Sequence, residues 1–121
     1  MTRVLVVDDE ESVRFLLRVA FELAGFEVAE APNGAAACEL ISSEPAPALV
    51  ATDYMMPVMD GGELIQRLRT DPATASVPVM LISSSPGARE RIGLADAFVQ
   101  KPFDPTEVVA TAERLLEGGT G

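Results

Sequence analysis

The sequence predicts an α/β domain: a mostly parallel sheet of five short strands with helices on both faces. Three observations predict it. Short unbroken apolar runs, such as RVLVV at 3–7 and ALVAT at 48–52, are what strands buried on both faces look like. Between them apolar residues recur at helical spacing. The two patterns alternate along the chain, and right-handed crossovers turn such an alternation into parallel strands with helices packed above and below.

The first strand, 3–7, stops at four acids, Asp8, Asp9, Glu10 and Glu11. Val13, Leu16, Leu17, Ala20, Phe21 and Ala24 then follow a helical period, and Gly25 is a C-terminal stop. The stretch 26–31 reads as a second strand, Pro32-Asn33-Gly34 as a turn and 35–43 as a helix. The third strand, 48–52, runs into Asp53. Gly61-Gly62 opens a helix with Leu64, Ile65 and Leu68 inward, and Pro72 lies beyond its end. A fourth strand, 77–82, leads into Ser83-Ser84-Ser85-Pro86-Gly87, and a short fifth, 97–99, precedes Gln100-Lys101-Pro102. Asp104-Pro105-Thr106-Glu107 starts the last helix: Asp caps, Pro suits the first helical position and Glu can close a capping box. Val108, Val109, Ala112, Leu115 and Leu116 supply its inward face. The domain is expected over 1–117, with 118–121 as a flexible tail or linker stub.

At 121 residues the chain holds one domain. Nine basic against nineteen acidic residues give a net charge of -10, which argues against a nucleic-acid-binding face and against docking on anionic lipid. The 48% of apolar residues suffices for a core, and with no Trp and few other aromatics that core is aliphatic. The absence of histidine excludes Ser–His and Cys–His catalysis, histidine metal sites and a phosphohistidine on this chain. Cys38 stands alone, so neither an internal disulfide nor a cysteine zinc site is expected. No apolar run approaches the roughly 20 residues of a membrane span, and Met1-Thr2-Arg3 shows no secretory leader, so a cytoplasmic domain is expected.

In parallel sheets of this kind ligands sit beyond the carboxyl ends of the strands. The first strand delivers Asp8 and Asp9 there, the third Asp53, the fourth Ser83 and the fifth Lys101, the chain's only lysine. Any one of these has a plainer explanation as a cap, a turn former or a solvated side chain. Together they collect three carboxylates, a hydroxyl and an ammonium on one sheet edge. Clustered carboxylates repel, and a hard divalent cation such as Mg2+ compensates them.

The stretches VLVVDDE, TDYMMPVMDG, PVMLISS and VQKPF resemble the receiver domain of two-component response regulators, over essentially the whole chain. The resemblance implies a flavodoxin-like doubly wound sheet in the order 2-1-3-4-5. It implies a phosphoacceptor at Asp53, a Mg2+ site (with Mn2+ as a substitute) formed by Asp8, Asp9, Asp53 and the backbone carbonyl of Met55, and Lys101 pairing with phosphoryl oxygens. Ser83 resembles the switch hydroxyl and Phe98 the switch aromatic. An acceptor at Asp53 needs only to be ionised, and a nearby cation is expected to keep its pKa low. A cis bond between Lys101 and Pro102 is implied as well. So is a signalling protein that catalyses its own phosphorylation and dephosphorylation, is not a metabolic enzyme, takes its phosphoryl group from a histidine kinase or phosphotransfer protein, and acts on a downstream output domain or protein. One departure stands out. The 18 steps from Ser83 to Lys101 are fewer than usual, so a shortened fourth helix of one or two turns is expected before the fifth strand. A rival reading is a pseudo-receiver regulated without phosphorylation, whose usual sign is loss of an acidic, acceptor or lysine position. None is lost here.

Overall fold

A computed structural model describes residues 2–43, 45–84 and 93–117. The elements in chain order are β1 (Arg3–Val7), α1 (Glu11–Leu23), β2 (Glu27–Ala31), α2 (Gly34–Ser43), β3 (Leu49–Asp53), α3 (Gly61–Thr70), β4 (Val79–Ser83), β5 (Ala97–Gln100) and α4 (Pro105–Leu116). The five strands form one parallel sheet in the order β2-β1-β3-β4-β5. Its register levels the carboxyl ends: Val7 lies opposite Ala31 and Thr52, Asp53 opposite Ile82, and Ser83 opposite Gln100. Groups placed at or just beyond four strand ends therefore share one edge.

Every residue of β3 and β4 is buried, which is why those stretches are apolar without alternation up to their polar ends, Thr52-Asp53 and Ser83. Val4, Val6, Leu49, Ala51, Met80 and Ile82 pack against Leu17 and Phe21 of α1 and Val108 and Ala112 of α4. On the other face Leu5, Val7, Val50, Val79 and Leu81 pack against Ala37 of α2 and Leu64, Ile65 and Leu68 of α3. The period of two along each strand supplies both layers. Leu16 of α1, on the helical period, stays exposed beside Phe15, Val19 and Leu23.

Local chemistry sets the boundaries. β4 starts at Val79, two residues later than the apolar run suggests, because Pro78 has no amide and the Val77 N–H closes a turn onto the Thr74 carbonyl (3.0 Å). α3 is capped by Asp60, whose carboxylate accepts from the Glu63 N–H (2.9 Å). α4 starts as its sequence predicts, with Pro105 in the first turn and Asp104 accepting from the Thr106 N–H (2.9 Å). Gly25 ends α1 at φ 95, a conformation that favours glycine.

Arg69, near the end of α3, donates to the carbonyls of Val77 (2.7 Å) and Leu94 (3.0 Å) and pairs with Asp96 (2.7 Å). The same Asp96 oxygen accepts from the Val79 N–H (2.8 Å), so one side-chain pair ties α3 to the starts of β4 and β5. The expected short helix before β5 falls on 88–95, of which 88–92 lie outside the described residues, as does the expected tail on 118–121. Among the described residues no helix is long and apolar enough to cross a membrane.

Candidate functional site

Asp8 follows β1 and is held on four sides. Its N–H donates to the Ala31 carbonyl (3.2 Å), its carbonyl accepts from Arg14 Nη1 (2.7 Å), its Oδ1 accepts from the Glu10 N–H (2.9 Å) and its Oδ2 from Lys101 Nζ (2.9 Å). It is 2% exposed, whereas its neighbour Asp9 is exposed. Asp53 ends β3 and is 8% exposed. Its Oδ1 accepts from the Tyr54 N–H (2.8 Å), and its Oδ2 lies 3.5 Å from Lys101 Nζ.

The chain beyond Asp53 must turn back at once to start α3. The Gly61 N–H donates to the Tyr54 carbonyl (2.8 Å), and Gly61 packs so closely on the Asp53 carbonyl that a Cβ there would collide with backbone. Val58 sits at φ 69, and the Met59 N–H reaches the Pro57 carbonyl (2.7 Å) around it, closing a γ-turn. A left-handed β-branched residue costs on the order of 1–2 kcal/mol, and Val58 is 82% exposed, so its own side-chain packing offsets little of that. The returning Met59 is bound to the start of α2, where the Gly34 N–H donates to its carbonyl (3.0 Å).

Lys101 follows β5 and its bond to Pro102 is cis, as the sequence resemblance implies. Its N–H donates to the Ser83 carbonyl (3.0 Å), which places buried Ser83 beside it at the next strand end. Phe98 is half-buried and packs on the cluster shared by α2 and α3. The Met55 side chain is exposed on the loop after Asp53. Asp8, Asp9, Asp53 and Lys101 thus meet as the strand-end argument expects, Ser83 adjoins them, and Phe98 lies three residues before the lysine.

Ligand oxygens of Asp8, Asp9 and Asp53 all lie within 4.8 Å of one another. Three carboxylate oxygens at that spacing, two of them on buried residues, fit a hard divalent cation. The electrostatics correct one expectation. The lysine does not keep the Asp53 carboxyl in the ordinary range. Burial, and after it the charge of Asp8, push its pKa up to about 6 against the opposing pull of Lys101 and the Tyr54 amide. The Lys101 pKa also moves up. Burial lowers it, but the hydrogen bond to Asp8 and the charges of Asp53 and Asp8 outweigh burial, so its pKa is raised.

A carboxyl whose folded pKa (about 6) exceeds its ordinary 3.8 destabilises the fold above pH 6, and that penalty disappears as pH falls toward 3.8. In metal-free buffer Asp53→Asn is therefore expected to be the more stable protein at pH 7, by about 3 kcal/mol. The difference should shrink steadily between pH 6 and pH 4 in parallel urea titrations. A difference independent of pH would show that the penalty is not one of ionisation.

Sequence reasoning did not find Arg14 or Gly61 as parts of the site. Arg14 contacts a backbone carbonyl, which leaves no trace in residue types. Gly61 closes the D-G pair of TDYMMPVMDG, and its need for close backbone approach was the available signal.

The sequence profile of the response regulator receiver domain matches residues 4–113. The chain is 37% identical to the phosphate regulon transcriptional regulatory protein PhoB of Pseudomonas aeruginosa, over 93% of this chain and 51% of that protein. It spans about half the length of the first curated relatives it matches. Among solved structures, the signal receiver domain of a signal transduction histidine kinase from Syntrophus aciditrophicus superposes with a TM-score of 0.89 at 29% identity, covering 98% of this chain and 92% of that one. The response regulator protein TrrA of Thermotoga maritima, solved in complex with Mg2+ and BeF, superposes with a TM-score of 0.86 at 30% identity, covering 95% and 99%.

Proposed function

The chain belongs to the response regulator receiver domain family, and from that premise we propose that it accepts a phosphoryl group onto Asp53, from a phosphohistidine on a partner histidine kinase or phosphotransfer protein, in a Mg2+-dependent reaction. The observation that carries this reading is the Asp53 carboxylate beside the Asp8 carboxylate at a buried sheet edge, with the Lys101 ammonium paired to both. An Asp53 oxygen forms a bond to phosphorus as the donor's phosphorus–nitrogen bond breaks, and the imidazole leaves with the bonding pair. The ionised carboxylate needs no general base, which suits a chain without histidine. With a pKa of about 6, Asp53 is mostly ionised at pH 7.

Lys101, already 3.5 Å from Asp53, donates to the transferred oxygens and offsets the repulsion between two anions. Asp8, Asp9, Asp53 and the Met55 carbonyl would hold Mg2+, or Mn2+ in its place, and the ion would supply further positive charge at the transferred group. The Tyr54 amide fixes the orientation of the Asp53 carboxylate. The Ser83 hydroxyl, one strand over from Asp53, is the group drawn toward a new phosphoryl oxygen. That movement biases a two-state arrangement of Phe98, which a downstream output domain or protein reads.

Incubation with acetyl phosphate and Mg2+, followed by intact mass measurement, tests the reading. The parent protein should gain one phosphoryl group, and Asp53→Ala or added EDTA should abolish the gain. Equal incorporation with EDTA, or in Asp53→Ala, would contradict the assignment.

A further inference from the structure

Arg14 lies outside the carboxylate cluster, yet it touches the peptide that carries Asp8. Its Nη1 donates to the Asp8 carbonyl at 2.7 Å, and its Nε pairs with Glu30 of β2 at 3.3 Å. Its side chain is largely buried, and Glu30 is held in turn by Arg18 Nη1 at 2.9 Å. A planar guanidinium can satisfy both partners from fixed directions, which an ammonium cannot. The result is a brace from β2 through α1 onto the first residue beyond β1. Asp8 needs it because its side chain is already divided between the Glu10 amide and Lys101.

We propose that Arg14 is a positioning residue for the cation site: by clamping the Asp8 carbonyl against Glu30 it aims the Asp8 and Asp9 carboxylates at the position a divalent cation takes beside Asp53. The proposal rests on the metal reading of the cluster and goes beyond it.

Charge and position predict opposite signs, which makes the idea testable. If Arg14 acted only through its charge, neutralising it would remove a repelling cation and tighten Mg2+ binding. If it acts by position, neutralising it loosens Asp8 and weakens binding, by about tenfold or more as for other groups that orient metal ligands. Arg18 is the control. It shares Glu30 and pairs with Glu22, and its side chain is more exposed than that of Arg14.

The experiment titrates Mg2+ into the full chain and follows the fluorescence of Tyr54, the single tyrosine, which adjoins Asp53. Circular dichroism verifies the fold of each variant. Arg14→Met and Arg14→Gln are expected to raise the Mg2+ dissociation constant about tenfold, while Arg18→Met leaves it unchanged or slightly lowers it. If Arg14→Met does not fold, Arg14→Gln carries the comparison, since its amide fills similar space. Parental or tighter binding in the folded Arg14 variants would overturn the proposal, as would equal weakening by Arg18→Met. Failure of the parent chain to bind Mg2+ at all would remove the metal reading itself, a result distinct from parental binding in the variants.

Discussion

Lys101→Met is expected to slow phosphorylation by acetyl phosphate by about a hundredfold or more, the usual loss when a preorganised donor to a developing anion is removed. The lysine is 16% exposed and lies against two buried carboxylates, so the same change should also weaken the fold. Removing one member of a buried ion pair costs about 3 kcal/mol, and protonation of Asp53, whose pKa is already raised, recovers part of it. Added Mg2+ should restore stability to Lys101→Met more than to the parent, because the ion replaces the missing charge. Paired denaturant titrations with and without Mg2+ read this directly. A variant labelled at the parental rate would remove Lys101 from the mechanism.

Gly61→Ala is expected to be the most damaging single methyl group in the domain. The atoms a Cβ would meet are the Asp53 carbonyl oxygen and the Tyr54 Cα at 3.0 Å, all backbone and unable to turn aside. Relief requires moving the end of β3 or the first turn of α3, at a cost of about 3 kcal/mol. Since the end of β3 is Asp53, the proposed acceptor, labelling by acetyl phosphate should fall together with stability. A Gly61→Ala protein that melts with the parent and is labelled like it would show that the loop has slack the structure does not display.

The placement of Asp8, Asp9, Asp53 and Lys101 was legible because parallel strands of similar length bring their ends to one edge, and residues just past each apolar run must lie there. The interior of the sheet was legible for the same reason: β3 and β4 are buried on both faces, so their composition has no polar phase to confuse. What escaped were features whose partners are backbone atoms. Arg14 reads as an ordinary helix-surface cation until its bond to the Asp8 carbonyl is seen. Asp60 reads as one more acid until it caps α3. Val58 gives no warning of a positive φ, since the sequence carries valine where glycine or asparagine would signal the turn. The raised carboxyl of Asp53 was misjudged because the neighbouring cation is visible in the sequence, while the depth of burial that outweighs it is not.

The central claim is that Asp53, and neither member of the acidic pair beside it, becomes the acyl phosphate. Reduction with borohydride converts an aspartyl phosphate to homoserine, so treatment after phosphorylation by acetyl phosphate and Mg2+, followed by peptide mapping, marks the acceptor permanently. Homoserine at residue 53 alone is the expected result. Homoserine at residue 8 or 9 with residue 53 intact, or no reducible adduct in a folded, Mg2+-bound protein, would contradict it.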